Sequence, residues 1–103
     1  RPALRAAIAG IGAVPMAYSP LARGHKVEDP LLGRIAESIG CTPAQAAIKW
    51  CVDAGAITIP KSSNPARIEE NLGSLQVDLS GTEVDFASLE GSYVSGWDPT
   101  SEP

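Results

Sequence analysis

Apolar positions along this chain fall into two kinds of pattern. Ala13-Val14-Pro15-Met16-Ala17 and Ala56-Ile57-Thr58-Ile59 are short and carry no charge. Their length and unbroken apolarity predict strands covered on both faces, as in parallel sheets. Pro15 counts against a central place for the first strand, because it cannot donate to a ladder. The second pattern has helical spacing. Leu31, Leu32, Ile35, Ala36 and Ile39 share one face, opened by Asp29-Pro30 and closed by Gly40. Thr42-Pro43 repeats that start, and Ala44, Ala47, Ile48, Cys51 and Val52 form the predicted core face of a helix running toward Gly55. Asn64-Pro65 opens a third helix, expected to run to about Leu72. Residues 2–10 form a weaker helix, stopped by Gly10 or Gly12.

The remainder is less regular. Residues 18–29 hold Pro, Gly and charge without a period and read as a loop after the first strand. Leu75, Val77 and Leu79 alternate with polar neighbours, which predicts an extended piece. Ser80 and Glu83 have capping-box spacing before a helix carrying Val84, Phe86, Ala87 and Leu89. From Gly91 onward the chain reads as a tail, with Tyr93 and Trp97 laid on a surface. Strands alternating with helices predict an α/β fold with parallel strands and helical crossovers. Two strands alone do not make a stable covered sheet. The chain therefore reads as one piece of a larger α/β domain.

Composition narrows the function classes. The chain has 103 residues, 44% hydrophobic and 19% charged, with a formal net charge of -4. That is room for one globular domain at most. Acids and bases are interspersed with no basic stripe, so nucleic acid is not an expected partner. No apolar run approaches the roughly 20 residues of a membrane span. No signal-peptide pattern is present and the first residue is not Met, so the chain is expected to begin inside a longer product. Cys41, Cys51 and the single histidine, His25, make a poor metal set. Two free thiols in a reducing, cytoplasmic setting fit better.

The most informative chemistry lies at the second strand and the turn after it. Lys61 and Arg67 flank the Asn64-Pro65 helix start. A helix N-terminus offers unpaired backbone N–H groups and partial positive charge, and two cations beside it favour a phosphate. A loop straight after a buried parallel strand, such as 18–29, is the other place where α/β proteins gather ligand contacts.

These same residues carry a resemblance. Ile59-Pro60-Lys61-Ser62, then Arg67-Ile68 and Glu70-Asn71, resembles the C-terminal signature of the aldo-keto reductases. Ala17-Tyr18-Ser19-Pro20-Leu21 looks like the end of that family's seventh barrel strand. Thr42-Pro43-Ala44-Gln45-Ala46 with Trp50 looks like the helix before the eighth. Leu79 to Glu83 resembles the start of its supplementary helix. The motifs mark roughly residues 12–99. The resemblance implies the C-terminal portion of a (β/α)8 TIM barrel: about the last two βα units, a supplementary helix and a tail. Residues 1–103 would then be a C-terminal fragment of a single NADP-dependent oxidoreductase domain.

Carried over by position, Tyr18 would stack on the nicotinamide of NADPH, and Ser19 and Leu21 would line its pyrophosphate. Lys61, Ser62 and Arg67 would hold the 2′-phosphate, and Glu70 and Asn71 would meet the adenine edge. The family's Asp, Tyr, Lys and His tetrad comes from earlier strands and has no counterpart in this chain, so no catalytic residue is expected here. The reaction implied is hydride transfer from NADPH to a small-molecule aldehyde or ketone, giving an alcohol. The alternative is a non-catalytic interaction or regulatory protein that keeps the fold and the nucleotide site.

Overall fold

In the computed structural model of the chain, residues 2–24, 27–82, 86, 87 and 89 are described. His25, Lys26, Glu83, Val84, Tyr93 and Trp97 lie outside them. Two strands, β1 (Met16–Ala17) and β2 (Ile57–Thr58), pair in parallel, with Met16 opposite Ile57 and Ala17 opposite Thr58. Ile57 donates its N–H to the Pro15 carbonyl at 2.9 Å, so the proline joins the ladder through its acceptor, the one backbone group it retains. Helix α1 (Pro2–Gly10) precedes β1. Helices α2 (Pro30–Ile39) and α3 (Pro43–Asp53) make the crossover between the strands, and α4 (Pro65–Leu72) follows β2.

Each crossover helix begins and ends where its local chemistry dictates. The Asp29 carboxylate accepts from the Leu31 N–H at 2.9 Å and Pro30 fills the first helical position. Gly40 ends α2 in the left-handed region (φ 74°, ψ 33°), as a Schellman-type stop requires. Thr42 and Gln45 form a reciprocal capping box at α3: Gln45 donates its N–H to Thr42 Oγ1 at 3.2 Å, and Thr42 donates its N–H to Gln45 Oε1 at 3.1 Å. Asn64 accepts from the Ala66 N–H at 2.9 Å and opens α4.

The core lies on one side of the sheet. Leu32, Ile35 and Ala36 of α2 pack with Ala46 of α3 and with Leu79 and Phe86. Trp50 stacks on Phe86 with ring centroids 6.1 Å apart, and the Arg5 guanidinium lies 5.3 Å from the Trp50 ring, which ties α1 to this cluster. Ala44 and Ile48 are buried as their spacing predicts, whereas Ala47, Cys51 and Val52 are half-buried. Ala46, off the predicted stripe, is fully buried. The reason is tertiary. Helix α3 touches α2, β2, α4 and the segment after α4, so its buried arc is wider than one stripe. Burial pushes the thiols of Cys41 and Cys51 above their ordinary value.

One local expectation is corrected. The extended reading of Leu75 fails, because Gly73–Gln76 forms a 3-10 turn continuing α4. That turn buries Ser74 and leaves Leu75 exposed, and the chain becomes extended only at Val77 (φ -80°, ψ 136°). Gly73 adopts φ -60°, ψ -15°, so no left-handed residue stops the helix and the last turn tightens instead. The expected Ser80–Glu83 capping box falls partly outside the described residues; of the pair, only Ser80 is described. Its hydroxyl and its N–H both donate to Asp78 Oδ1. These bonds hold the Asp78 carboxyl below the usual carboxylate range. Phe86 donates its N–H to the Thr82 carbonyl, one i to i−4 helical bond.

The other side of the sheet is open. Val14, Met16, Ile57 and Ile59, which strand alternation and the parallel register put on one face, are each about half exposed or more. Residues 1–103 produced by themselves are therefore expected to bind a hydrophobic dye such as ANS and to self-associate. A dye-silent monomer with one cooperative unfolding transition would contradict that.

Candidate nucleotide-binding site

The parallel pairing sets the C-terminal ends of β1 and β2 side by side. Ser19, Pro20 and Leu21 leave β1, and Pro60, Lys61 and Ser62 leave β2. Between them opens a cleft of about 640 Å³, completed by residues of α4, by Ala44 of α3 and by Val27 and Glu28 of the loop. A volume of this size suits a small ligand or part of a larger one.

The backbone around the cleft is specialised. Ser19 (φ 47°) and Ala22 (φ 48°) are non-glycine residues in the left-handed region. Such conformations cost about 1–3 kcal/mol each and cluster at ligand sites. Ala22 donates its N–H to the Ser19 carbonyl at 2.8 Å, and Gly24 to the Leu21 carbonyl at 2.9 Å, which curls this loop into two consecutive turns. On the opposite wall the Ser62 hydroxyl accepts from the Asn64 N–H at 3.1 Å. That bond shapes the turn delivering Lys61 to the cleft and opening α4.

Of the residues predicted to hold a nucleotide, Ser19, Leu21, Lys61, Ser62, Arg67, Glu70 and Asn71 all line this one cleft. Tyr18 does not. It follows β1 on the open sheet face, continuing the Val14–Met16 alternation, and is 57% exposed. Lys61 and Arg67 are exposed and, among the described residues, form no ion pair or hydrogen bond, so both charges are available to a ligand. Glu28 and Glu70 share the lining, so the site offers cationic donors and carboxylate acceptors together.

Three lining residues have a sequence signal only in hindsight. Glu28 and Gly24 sit in an aperiodic loop, and Ala44 reads as core. Gln45 was readable as the third helical residue of a capping box, though its second contact was not. Its Nε2 donates to the Glu70 carbonyl at 2.9 Å across 25 residues of chain. Among the described residues no three His, Cys, Asp or Glu side chains gather as a metal site. No described helix is long and apolar enough to cross a membrane.

Two parallel strands, helical crossovers on one side and a cleft of mixed charge beyond the strands' C-terminal ends define a segment of a parallel α/β fold. Comparison with known proteins gives the family. The model of the aldo/keto reductase family matches residues 25–89. An aldo-keto reductase of Mycolicibacterium smegmatis is 43% identical over 97 residues, covering 93% of this chain and 35% of that protein. A crystal structure of a Gox0644 point mutant in complex with NADPH superposes with a TM-score of 0.84 at 33% identity, covering 100% of this chain and 39% of that one. An aldo/keto reductase from Brucella melitensis superposes with a TM-score of 0.73 at 38% identity, covering 84% of this chain and 32% of that one.

The chain belongs to the aldo/keto reductase family. Its fold is α/β, the C-terminal portion of a (β/α)8 barrel. It spans about a third of the length of the curated relatives it matches. The likeness to the NADPH complex takes in residues 1–11 as well, beyond the stretch the motifs marked.

Proposed function

We propose that this chain holds the adenosine end of NADPH in an oxidoreductase that reduces small aldehydes or ketones to alcohols. The observation that supports it best is the gathering of Lys61, Ser62 and Arg67 with Glu70 and Asn71 in one cleft. A 2′-phosphate carries between one and two negative charges near neutral pH and three acceptor oxygens, by analogy with a phosphoserine. Arg67 can meet it with a planar fork and Lys61 with a point charge. The dipole of α4 favours an anion at its start. Asn71 and Glu70 bring an amide and a carboxylate to the same wall. An adenine edge, which both donates and accepts, is matched by that pair.

NADPH, when bound, supplies the hydride. The chain's own residues bind and orient. Ser19 and Leu21 form the wall opposite α4, against which a pyrophosphate would lie. Tyr18, at the strand end and outside the cleft, offers an exposed ring beyond that wall for stacking. No acid–base residue is assigned to this chain. The division of labour proposed is that residues 1–103 form part of one oxidoreductase domain and contribute cofactor affinity, while proton transfer to the carbonyl oxygen belongs to side chains outside them.

The direct test is a fluorescence titration of the protein with NADPH and with NADH. Charge-assisted hydrogen bonds to the 2′-phosphate, at about 1.5–3 kcal/mol, are expected to make NADPH bind about ten- to a hundredfold more tightly. Equal affinities for the two nucleotides would overturn the assignment.

A further inference from the structure

Gln45 does two things at once. As the third helical residue of α3 it completes the capping box through Oε1. Through Nε2 it reaches α4 and donates to the Glu70 carbonyl at 2.9 Å. That carbonyl lies in the last turn of α4, and Gln45 reaches it from a different helix. Glu70 and the next residue, Asn71, both line the cleft. The bond from Gln45 therefore fixes the backbone of the wall that the ligand meets.

Gly73 supports the same arrangement. Its backbone is ordinary right-handed (φ -60°, ψ -15°), so conformation alone does not call for glycine. A Cβ there would stand 2.8 Å from Gln45 Nε2, closer than van der Waals contact permits. Glycine at this position keeps open the space that the Gln45 amide occupies. The neighbouring Ser74 is 1% exposed.

We infer that Gln45, seated against Gly73 and bonded to the Glu70 carbonyl, is a positioning residue that sets the Glu70–Asn71 wall of the nucleotide cleft. This rests on the reading of the cleft as a nucleotide site. The latch acts on the backbone of α4's last turn and not on Lys61 or Arg67. Loss of the latch is therefore expected to weaken the grip on the part that NADPH and NADH share, and to leave the preference between them intact.

Two substitutions separate the latch from the cap. Gln45→Glu keeps an oxygen for the Thr42 N–H, as in the commonest capping boxes, but removes the donor and sets a carboxylate against the Glu70 carbonyl. Gly73→Ala suits helical backbone and displaces only the far end of the Gln45 side chain. Dissociation constants for NADPH and NADH, and melting temperatures, are measured for the protein, for each variant, for Gln45→Ala and for Gln45→Ala/Gly73→Ala. Loss of one such hydrogen bond is expected to raise both dissociation constants by about three- to tenfold in Gln45→Glu and Gly73→Ala. Their ratio should stay constant, Gly73→Ala should keep its melting temperature, and Gly73→Ala should add nothing in the Gln45→Ala background. Unchanged affinities in Gly73→Ala, or a full additive loss in the double variant, would overturn the latch while leaving the nucleotide site standing. If the unsubstituted protein bound neither nucleotide, the site reading itself would fall and the latch with it.

Discussion

In the whole oxidoreductase proposed to contain this chain, replacing Arg67 by Met is expected to raise the KM for NADPH about ten- to a hundredfold and to change the KM for NADH by less than about threefold. Methionine keeps the aliphatic bulk of the arginine stem and removes only the charged fork. Arg67 stands in the first turn of α4, lines the cleft, is exposed and has no partner among the described residues. Its removal therefore breaks no internal ion pair and leaves no buried group unsatisfied. The loss falls on the ligand, and only on the ligand that has a 2′-phosphate. Salt should act in the same direction, because an exposed pair of this kind is screened: the NADPH preference should shrink as ionic strength rises. Steady-state kinetics with both cofactors, at low and high salt, check both parts. Equal effects on NADPH and NADH would remove Arg67 from the 2′-phosphate and leave it a solvated surface charge.

In the same whole protein, Leu32→Ala is expected to cost about 2–5 kcal/mol of stability, the range for truncating a buried leucine. Leu32 is 1% exposed and packs within the α2–α3 cluster with Ile35, Ala36 and Ala46. Ala46 of α3, with its small side chain, allows the two helices to approach closely at this cluster. The exposed Glu37 on the same helix serves as the control, since Glu37→Ala should change stability by less than about 0.5 kcal/mol. Denaturant midpoints at constant m-value give the comparison. A loss below about 1 kcal/mol at Leu32 would mean that the α2–α3 layer is not the core that holds the cleft in place.

The two effects join at α3. This helix is buried from α2 on one flank and meets α4 through Gln45 on another. A loosened core would reach the cleft through that second contact, so Leu32→Ala should weaken nucleotide binding without changing the NADPH preference. The preference belongs to Arg67 and Lys61, and the geometry that presents them belongs to the helices behind.

Most of the local structure was legible in the sequence. Asp29-Pro30, Thr42-Pro43 and Asn64-Pro65 open the helices they predict, and Gly40 closes one. Each is settled by bonds spanning two to four residues, which a reader of the chain can see. The family was legible too, because its motif residues follow one another in order along the chain. The failures share a cause. Leu75 alternates like a strand residue, yet Gly73 lets α4 run on into a 3-10 turn and turns Ser74 inward instead. Ala46 lies off the apolar stripe, yet it is fully buried because α3 has neighbours on several sides. Periodicity reports one buried face, and a helix in the middle of a layered fold has more than one.

By itself, then, the sequence determined where the helices start, which runs hold the strands, and the family to which the cationic turn belongs. Only the tertiary structure decided that residues as far apart as Ser19 and Asn71 share one cleft while Tyr18 stands outside it. Only it showed that a capping residue, Gln45, doubles as a brace for the cleft wall. The physical reason is range. Caps, turns and stripes are satisfied within a few residues, whereas the cleft exists because a parallel pairing of β1 and β2 brings two distant strand ends together, and the brace exists because α3 then lies against α4.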